Sequence, residues 1–231
     1  MEVASKLSRR WLRRVAFVRR NRCSVLLVAL MVFILIHPLV AESAIGAVFL
    51  AVGILGILVL ALWALRARPR SLLIVAVLAF LAIWGIAADR FGQHWLRPAT
   101  LLTTAVLMAA VTGALLYYVL DWKPITTDKV FGAVAAYVLI AFTFASLFGI
   151  LQQIQPHAFH ASTVHVPDEH LDWSTMMYFS FTVLTSTGFG EITPVTRMAR
   201  ALIVIEQVLG VMYVAFLIAR LANLYGNGTR R

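Results

Sequence analysis

The six residues Thr185-Ser186-Thr187-Gly188-Phe189-Gly190 combine hydroxyl oxygens with glycines at alternate positions. A cation that leaves water needs its hydration shell replaced by fixed oxygens, and consecutive backbone carbonyls turned to one side can supply them. Turning them that way requires residues that accept positive φ, which glycine does without a Cβ penalty. Gly188 and Gly190 alternate with Thr187 and Phe189 in the pattern this geometry needs, and Ser186 can add a hydroxyl oxygen at the inner mouth. A Gly-x-Gly by itself marks only a turn. Its flanks carry the argument: the apolar stretch from Trp173 to Leu184 precedes it and a long apolar run follows it. Asp172 is placed to cap a short helix over that stretch. Such a helix would aim the partial negative charge of its C-terminus at the loop.

The elements that must position this loop follow from composition. Of 231 residues, 61% are hydrophobic and 13% charged, about half the charged fraction of a soluble domain. Apolar runs that approach a hydrocarbon core of about 30 Å fall near residues 24–41, 44–65, 71–88, 99–120, 130–153 and 198–222. The stretch from Trp173 to Leu184 is too short to cross, so it is read as a re-entrant helix between two full spans. The expected fold is an all-α membrane protein with six transmembrane helices, a re-entrant helix and the loop after it. The first apolar run is longer than the core of a secretory signal and is read as a span.

Orientation follows from the basic residues. Arg90, Arg97, Arg197 and Arg200 fall on one side of a six-span topology, and every other lysine and arginine falls on the opposite side. Both termini are therefore expected in the cytoplasm, and the loop from Gln152 to Asp172 outside, with the chain in the inner or plasma membrane. In the tail, Leu7, Trp11, Val15 and Val18 recur at helical spacing among arginines. That pattern suits either an interfacial helix on anionic headgroups or a disordered basic anchor. The net charge of +10 is thus assigned to lipid and topology rather than to nucleic acid. The fourth run, 101–120, contains no arginine or lysine, so it lacks the regularly spaced charges of a voltage-sensing helix.

Glu206 lies at membrane depth four residues before Gly210. It reads either as a protonatable group that couples the last helix to the loop, or as a brace for the short helix through Ser180 or Thr182. Below it, Val211, Val214, Ile218 and Ala222 repeat at helical spacing, able to line a hydrophobic cavity or to pack against lipid. His157, His160, His165 and His170 share one loop with Asp168, Glu169 and Asp172, at spacings that match no compact metal site. The single cysteine, Cys23, excludes a disulfide framework. No serine–histidine or paired-aspartate constellation occupies facing spans, so no enzymatic step is expected.

At Tyr178-Phe-Ser-Phe-Thr-Val-Leu-Thr-Ser-Thr-Gly-Phe-Gly-Glu-Ile-Thr-Pro194 the chain resembles the pore module of tetrameric potassium channels, over about residues 130–225. The resemblance implies that Thr185 to Gly190 form the selectivity filter, with K+ held by the backbone carbonyls of Ser186, Thr187, Gly188 and Phe189. K+ would be the permeant ion, and no cofactor would be needed. Tyr178, Thr182 and Glu191 would support the filter. Glu206, Gly210, Val214 and Ile218 would form the gating hinge and cavity, with Gly210 as the hinge. One filter segment cannot enclose an ion, so a homotetramer is implied. The commonest filter of the family reads Thr-Val-Gly-Tyr-Gly. Here Ser186, Thr187 and Phe189 replace its first, second and fourth residues, and Glu191 replaces the flanking aspartate, with Tyr178 as its expected partner. The implied organisation is a basic tail at 1–22, a four-helix annex at 23–122, the pore module at 123–225 and a short tail at 226–231. The expected function is passive K+ conduction without an arginine-bearing voltage sensor. The alternatives are a weakly selective monovalent cation channel and a non-conducting membrane scaffold.

Overall fold

A computed structural model of the chain describes residues 21–40, 46–65, 80–81, 84–85, 97–121, 126–162 and 171–228. Most of the basic tail, most of the third expected span, and His165 and His170 lie outside the described residues. The described elements are helices α1 (Arg22–Val40), α2 (Gly46–Leu65), α3 (Arg97–Leu120) and α4 (Thr127–Ile154), strand β1 (Phe159–Ala161), helix α5 (Trp173–Leu184), strand β2 (Ile192–Pro194) and helix α6 (Arg197–Gly228). Among them, stretches within α1, α3, α4 and α6 are long and apolar enough to cross a membrane, and α2 contains a shorter apolar helix, Ala51–Ala64. Helices are the natural solution for such runs, because hydrocarbon offers no partner to an unpaired amide or carbonyl. The chain forms two compact units, residues 1–77 with 111–136 and residues 78–110 with 137–231.

In the first unit, α1 and α2 pack side by side. Phe33 stacks on Phe49 with ring centroids 5.9 Å apart, and Gly53 lies directly against the Phe33 ring, where any side chain would collide. Arg22 donates to the Trp63 carbonyl at 3.0 Å and lies 4.9 Å over its indole ring. At the start of α4, the buried Asp128 accepts from the Cys23 amide at 2.8 Å and from the Tyr118 hydroxyl at 3.2 Å. One carboxylate thereby satisfies an amide of the first turn of α1, which has no helical partner of its own, and ties it to α3 and α4. Its neighbour Lys129, also buried, donates to the Asp121 carbonyl at 2.9 Å and lies over the Tyr118 ring. The close approach is possible because Gly132 presents no side chain to Cys23 and Val119.

The second unit is organised around α5. Phe148 on α4 meets Phe159 on β1 and Phe179 on α5 at 5.3 Å each. Phe142 packs edge-on against Trp173 and Phe181. This aromatic cluster seats the short helix against α4. The segment after α4, read from sequence as a loop, contains β1, which pairs antiparallel with β2 in the register Phe159↔Pro194, His160↔Thr193 and Ala161↔Ile192. Three-residue strands are too short for alternation to reveal, and their pairing depends on a partner thirty residues away. On α6 the buried positions among the described residues are Ala199, Ile203, Glu206 and Gly210, with Tyr213 and Leu217 half-buried, while Val204, Ile205, Val208, Leu209, Val211, Met212, Val214 and Ile218 are exposed.

Replacing Asp128 by alanine leaves the Cys23 amide and the Tyr118 hydroxyl without an acceptor. The expected loss is about 1–3 kcal/mol, read as a lower melting temperature of the purified protein in detergent, with Asp128→Asn losing less.

Candidate pore-lining site

Helix α5 begins as its sequence requires. Asp172 is its N-cap, in an extended conformation, and its carboxylate accepts from the Thr175 amide at 2.8 Å and the Thr175 hydroxyl at 2.6 Å. Its twelve residues span about 18 Å at 1.5 Å per residue, short of a bilayer core. The buried side chains include Met176, Phe179, Ser180, Thr182, Val183 and Leu184.

A helix ends with four carbonyls that lack a helical partner. Here all four are taken. The Phe181 carbonyl accepts from the Thr185 amide at 3.1 Å, Val183 from Ser186 at 2.9 Å, and Thr182 from both Thr187 at 2.8 Å and Gly188 at 3.2 Å. The Leu184 carbonyl accepts from the Tyr137 hydroxyl of α4 at 3.1 Å. The amides of residues 185–188 are thus folded back onto the helix they follow. Among the described residues, no hydrogen bond ends on the carbonyls of Thr185, Ser186, Thr187, Gly188 or Phe189.

The backbone explains how amides and carbonyls part company. Positive φ occurs at Ser186 (+56°), Gly188 (+57°) and Gly190 (+86°), while Thr187 and Phe189 between them keep negative φ. In a strand, successive peptide planes flip; with φ alternating in sign they face the same way, amides to one side and carbonyls to the other. The glycines accept this freely. Ser186 does not, and its left-handed conformation costs about 1–2 kcal/mol, which its amide bond to Val183 helps to offset. Sequence reasoning assigned positive φ to the two glycines and missed Ser186, since nothing in a serine announces it. The whole run from Thr185 to Gly190 is exposed in the single chain.

The flanking residues brace this run. Thr185 donates its hydroxyl to the Phe181 carbonyl and shares a 2.7 Å hydroxyl contact with Thr187. Thr182 is buried and donates to Phe179. The Tyr178 hydroxyl donates to Glu191 at 2.8 Å, and the Tyr178 ring stacks on Phe189, 6.4 Å between centroids with planes nearly parallel. By accepting that bond, the Glu191 carboxylate holds the Tyr178 phenol above its ordinary range. The Glu191 carbonyl accepts from the Ser162 amide at 2.8 Å, which fastens the end of the run to the β1 loop.

The sequence-stated cavity residues separate into two groups. Glu206 and Gly210 face inward on α6; Val214 and Ile218 are exposed. The structure gives Gly210 a packing reason: a Cβ there would strike the Leu184 carbonyl oxygen, and α6 runs unbroken through the position. Glu206 is fully buried against Ser180. Of the loop histidines, His160 is exposed in β1, and His157 adopts a positive φ of 66°. Among the described residues, no group of three His, Cys, Asp or Glu side chains lies close enough to hold a metal ion.

Gly210→Ala forces the Leu184 carbonyl and the end of α5 to move. Overpacking of this kind costs about 1–3 kcal/mol, measurable as a fall in melting temperature larger than that from alanine at Gly113, which has open space around it.

Comparison with known proteins agrees with this geometry. Residues 105–227 match the family described as "Ion channel". A stretch of 60 residues is 37% identical to probable potassium channel protein 2 of Methanocaldococcus jannaschii, covering 26% of this chain and 18% of that protein. The chain therefore aligns with less than a fifth of that relative's length. No solved structure matches. A family match over more than half of the chain, across the helices that carry α5 and the loop after it, shows that this protein belongs to the ion-channel family.

Proposed function

We propose that this chain is the subunit of a homotetrameric, potassium-selective channel that carries K+ passively down its electrochemical gradient, with Thr185–Gly190 as its selectivity filter. The observation that carries the reading is the backbone there. Amides are bound back to α5, carbonyls carry no hydrogen bond among the described residues, and φ alternates in sign. Such a segment can replace a hydration shell with carbonyls of Ser186, Thr187, Gly188 and Phe189. One segment offers oxygens from one side only, so several copies must surround the ion. The apolar exposed face of α6, with Val214 and Ile218, suits the lining of a cavity or contact with neighbouring subunits and lipid, and in water it would be an aggregation surface. The similarity to a protein named as a probable potassium channel supports K+ as the ion.

In this reading the chain lies in the cell membrane with six spans and both termini in the cytoplasm, the basic tail resting on anionic lipid. It works without a cofactor or an enzymatic step. Residues 98–120 of α3 contain no arginine or lysine, so the channel opens without an arginine-bearing voltage sensor. Gly210 provides the bending point of the inner helix, and Glu206 belongs to the same gating region. One observation favours a weaker selectivity: Thr187 stands where the commonest filter has valine, and its hydroxyl is bonded to that of Thr185.

Reconstituted into liposomes, the purified protein is expected to carry K+, and its bi-ionic reversal potential with Na+ outside is expected to follow K+. Near-equal permeability would replace selective conduction by the weakly selective reading. Gly188→Ala is expected to reduce flux by about tenfold or more, because a Cβ at φ +57° costs about 1–2 kcal/mol in each of several subunits. Flux equal to that of empty liposomes would instead favour a scaffold subunit.

A further inference from the structure

Ser180, in the middle of α5, is fully buried, and its hydroxyl lies against two oxygens. One is the Ala141 carbonyl of α4 at 2.8 Å, the other Glu206 Oε1 of α6 at 2.5 Å. A serine hydroxyl has one proton and can donate only once. If Glu206 were a carboxylate, Ser180 would donate to it, and the Ala141 carbonyl would face the serine lone pairs at 2.8 Å with no hydrogen between. Glu206 Oε2 would then be a charged oxygen, buried and with no hydrogen-bond partner among the described residues, the most costly arrangement a carboxyl group can adopt.

Among the described residues, Ser180 is the one hydrogen-bond donor that charge would have. The Tyr137 phenol on α4 interacts electrostatically with Glu206; its hydroxyl is committed to the Leu184 carbonyl, and its ring stacks on Tyr213 of α6 at 5.6 Å. α5 contributes Ser180 alone, and among the described residues no basic group pairs with Glu206. With a proton on Oε1, both contacts become hydrogen bonds. Glu206 donates to Ser180 Oγ, Ser180 donates to the Ala141 carbonyl, and Oε2 is left as a neutral carbonyl oxygen.

We propose that Glu206 is held as a neutral carboxylic acid and acts as a positioning residue, the first donor in a directional chain Glu206→Ser180→Ala141 that locks the re-entrant helix between α4 and α6. The register supports a dedicated device. Ala141, Ser180 and Glu206 form one level; Tyr137, Leu184 and Gly210, each four residues away on the same three helices, form a second level directly beneath the filter segment. Both levels fix the height of α5, and through it the loop whose amides bond to its last carbonyls. The proposal deepens the channel reading at the same site and rests on it for the consequence to ion flow, but the proton assignment does not.

Infrared spectra of the protein in liposomes at neutral pH test the assignment. Wild type is expected to show a carboxylic-acid C=O band that vanishes in Glu206→Gln and shifts in Ser180→Ala. Glutamine can still donate to Ser180, so Glu206→Gln should keep the melting temperature and retain K+ flux within about threefold. Glu206→Ala and Ser180→Ala, which break the chain, should lower flux by about tenfold, the equivalent of one lost buried hydrogen bond. Absence of a Glu206-dependent acid band overturns the proposal and leaves the channel reading intact. Glu206→Gln melting and conducting as poorly as Glu206→Ala also overturns it. An acid band with preserved Glu206→Gln stability, in a protein that carries no ions, supports the assignment and defeats the channel reading instead.

Discussion

Amides and carbonyls come in equal numbers along a backbone, so a segment that leaves its carbonyls free on one side must find acceptors for its amides elsewhere. In this chain they are found in the last turn of α5. A helix C-terminus leaves four carbonyls unpaired, and the amides of residues 185–188, together with the Tyr137 hydroxyl, occupy all four. The surplus acceptors of the helix end and the surplus donors of the loop cancel. The helix therefore has to stop at Leu184, and the loop has to begin at once, with left-handed residues at alternate positions.

That arrangement makes the position of α5 decisive, because any shift of the helix moves the acceptors of the loop. Its base is pressed from one side by Gly210, where only a bare backbone fits against the Leu184 carbonyl, and from another by the Tyr137 hydroxyl. Its middle is joined through Ser180 to Ala141 and Glu206. The Phe142, Phe148 and Phe159 rings wedge it through its own Trp173, Phe179 and Phe181. At the far end, Tyr178 and the β1–β2 pairing hold Glu191 and the residues after it. Polar ties set the register, and the aromatic rings pack alongside the buried Met176, Met177, Val183 and Leu184. The opposite face of α6 is left apolar and exposed, a surface that water does not favour.

The first unit follows a different logic. Its helices are more uniformly apolar, and its order comes from a few polar anchors at one end: Arg22 on Trp63, Asp128 with Cys23 and Tyr118, and Lys129 with Asp121. Two of these charged residues, Asp128 and Lys129, are almost fully buried, so each needs its partners to be tolerated there. Its stretch of α3 carries no lysine or arginine.

Sequence alone determined the class of the fold, because long apolar runs admit few solutions in lipid, and it located the loop, because glycines at alternate positions after a short apolar helix have few other uses. Asp172 as a cap and the partnership of Tyr178 with Glu191 were also legible, the first from local chemistry and the second from family resemblance. Tertiary structure decided what depends on distant neighbours. The strands β1 and β2 exist only through each other; the left-handed Ser186 is imposed by acceptors on α5; and the choice between Ser180 and Thr182 as the partner of Glu206 turned on which faces α6. Gly210 is the clearest case. The family resemblance implied a hinge there, and the structure adds a backbone pressed against the Leu184 carbonyl, a contact that is a property of two helices and that neither one encodes by itself.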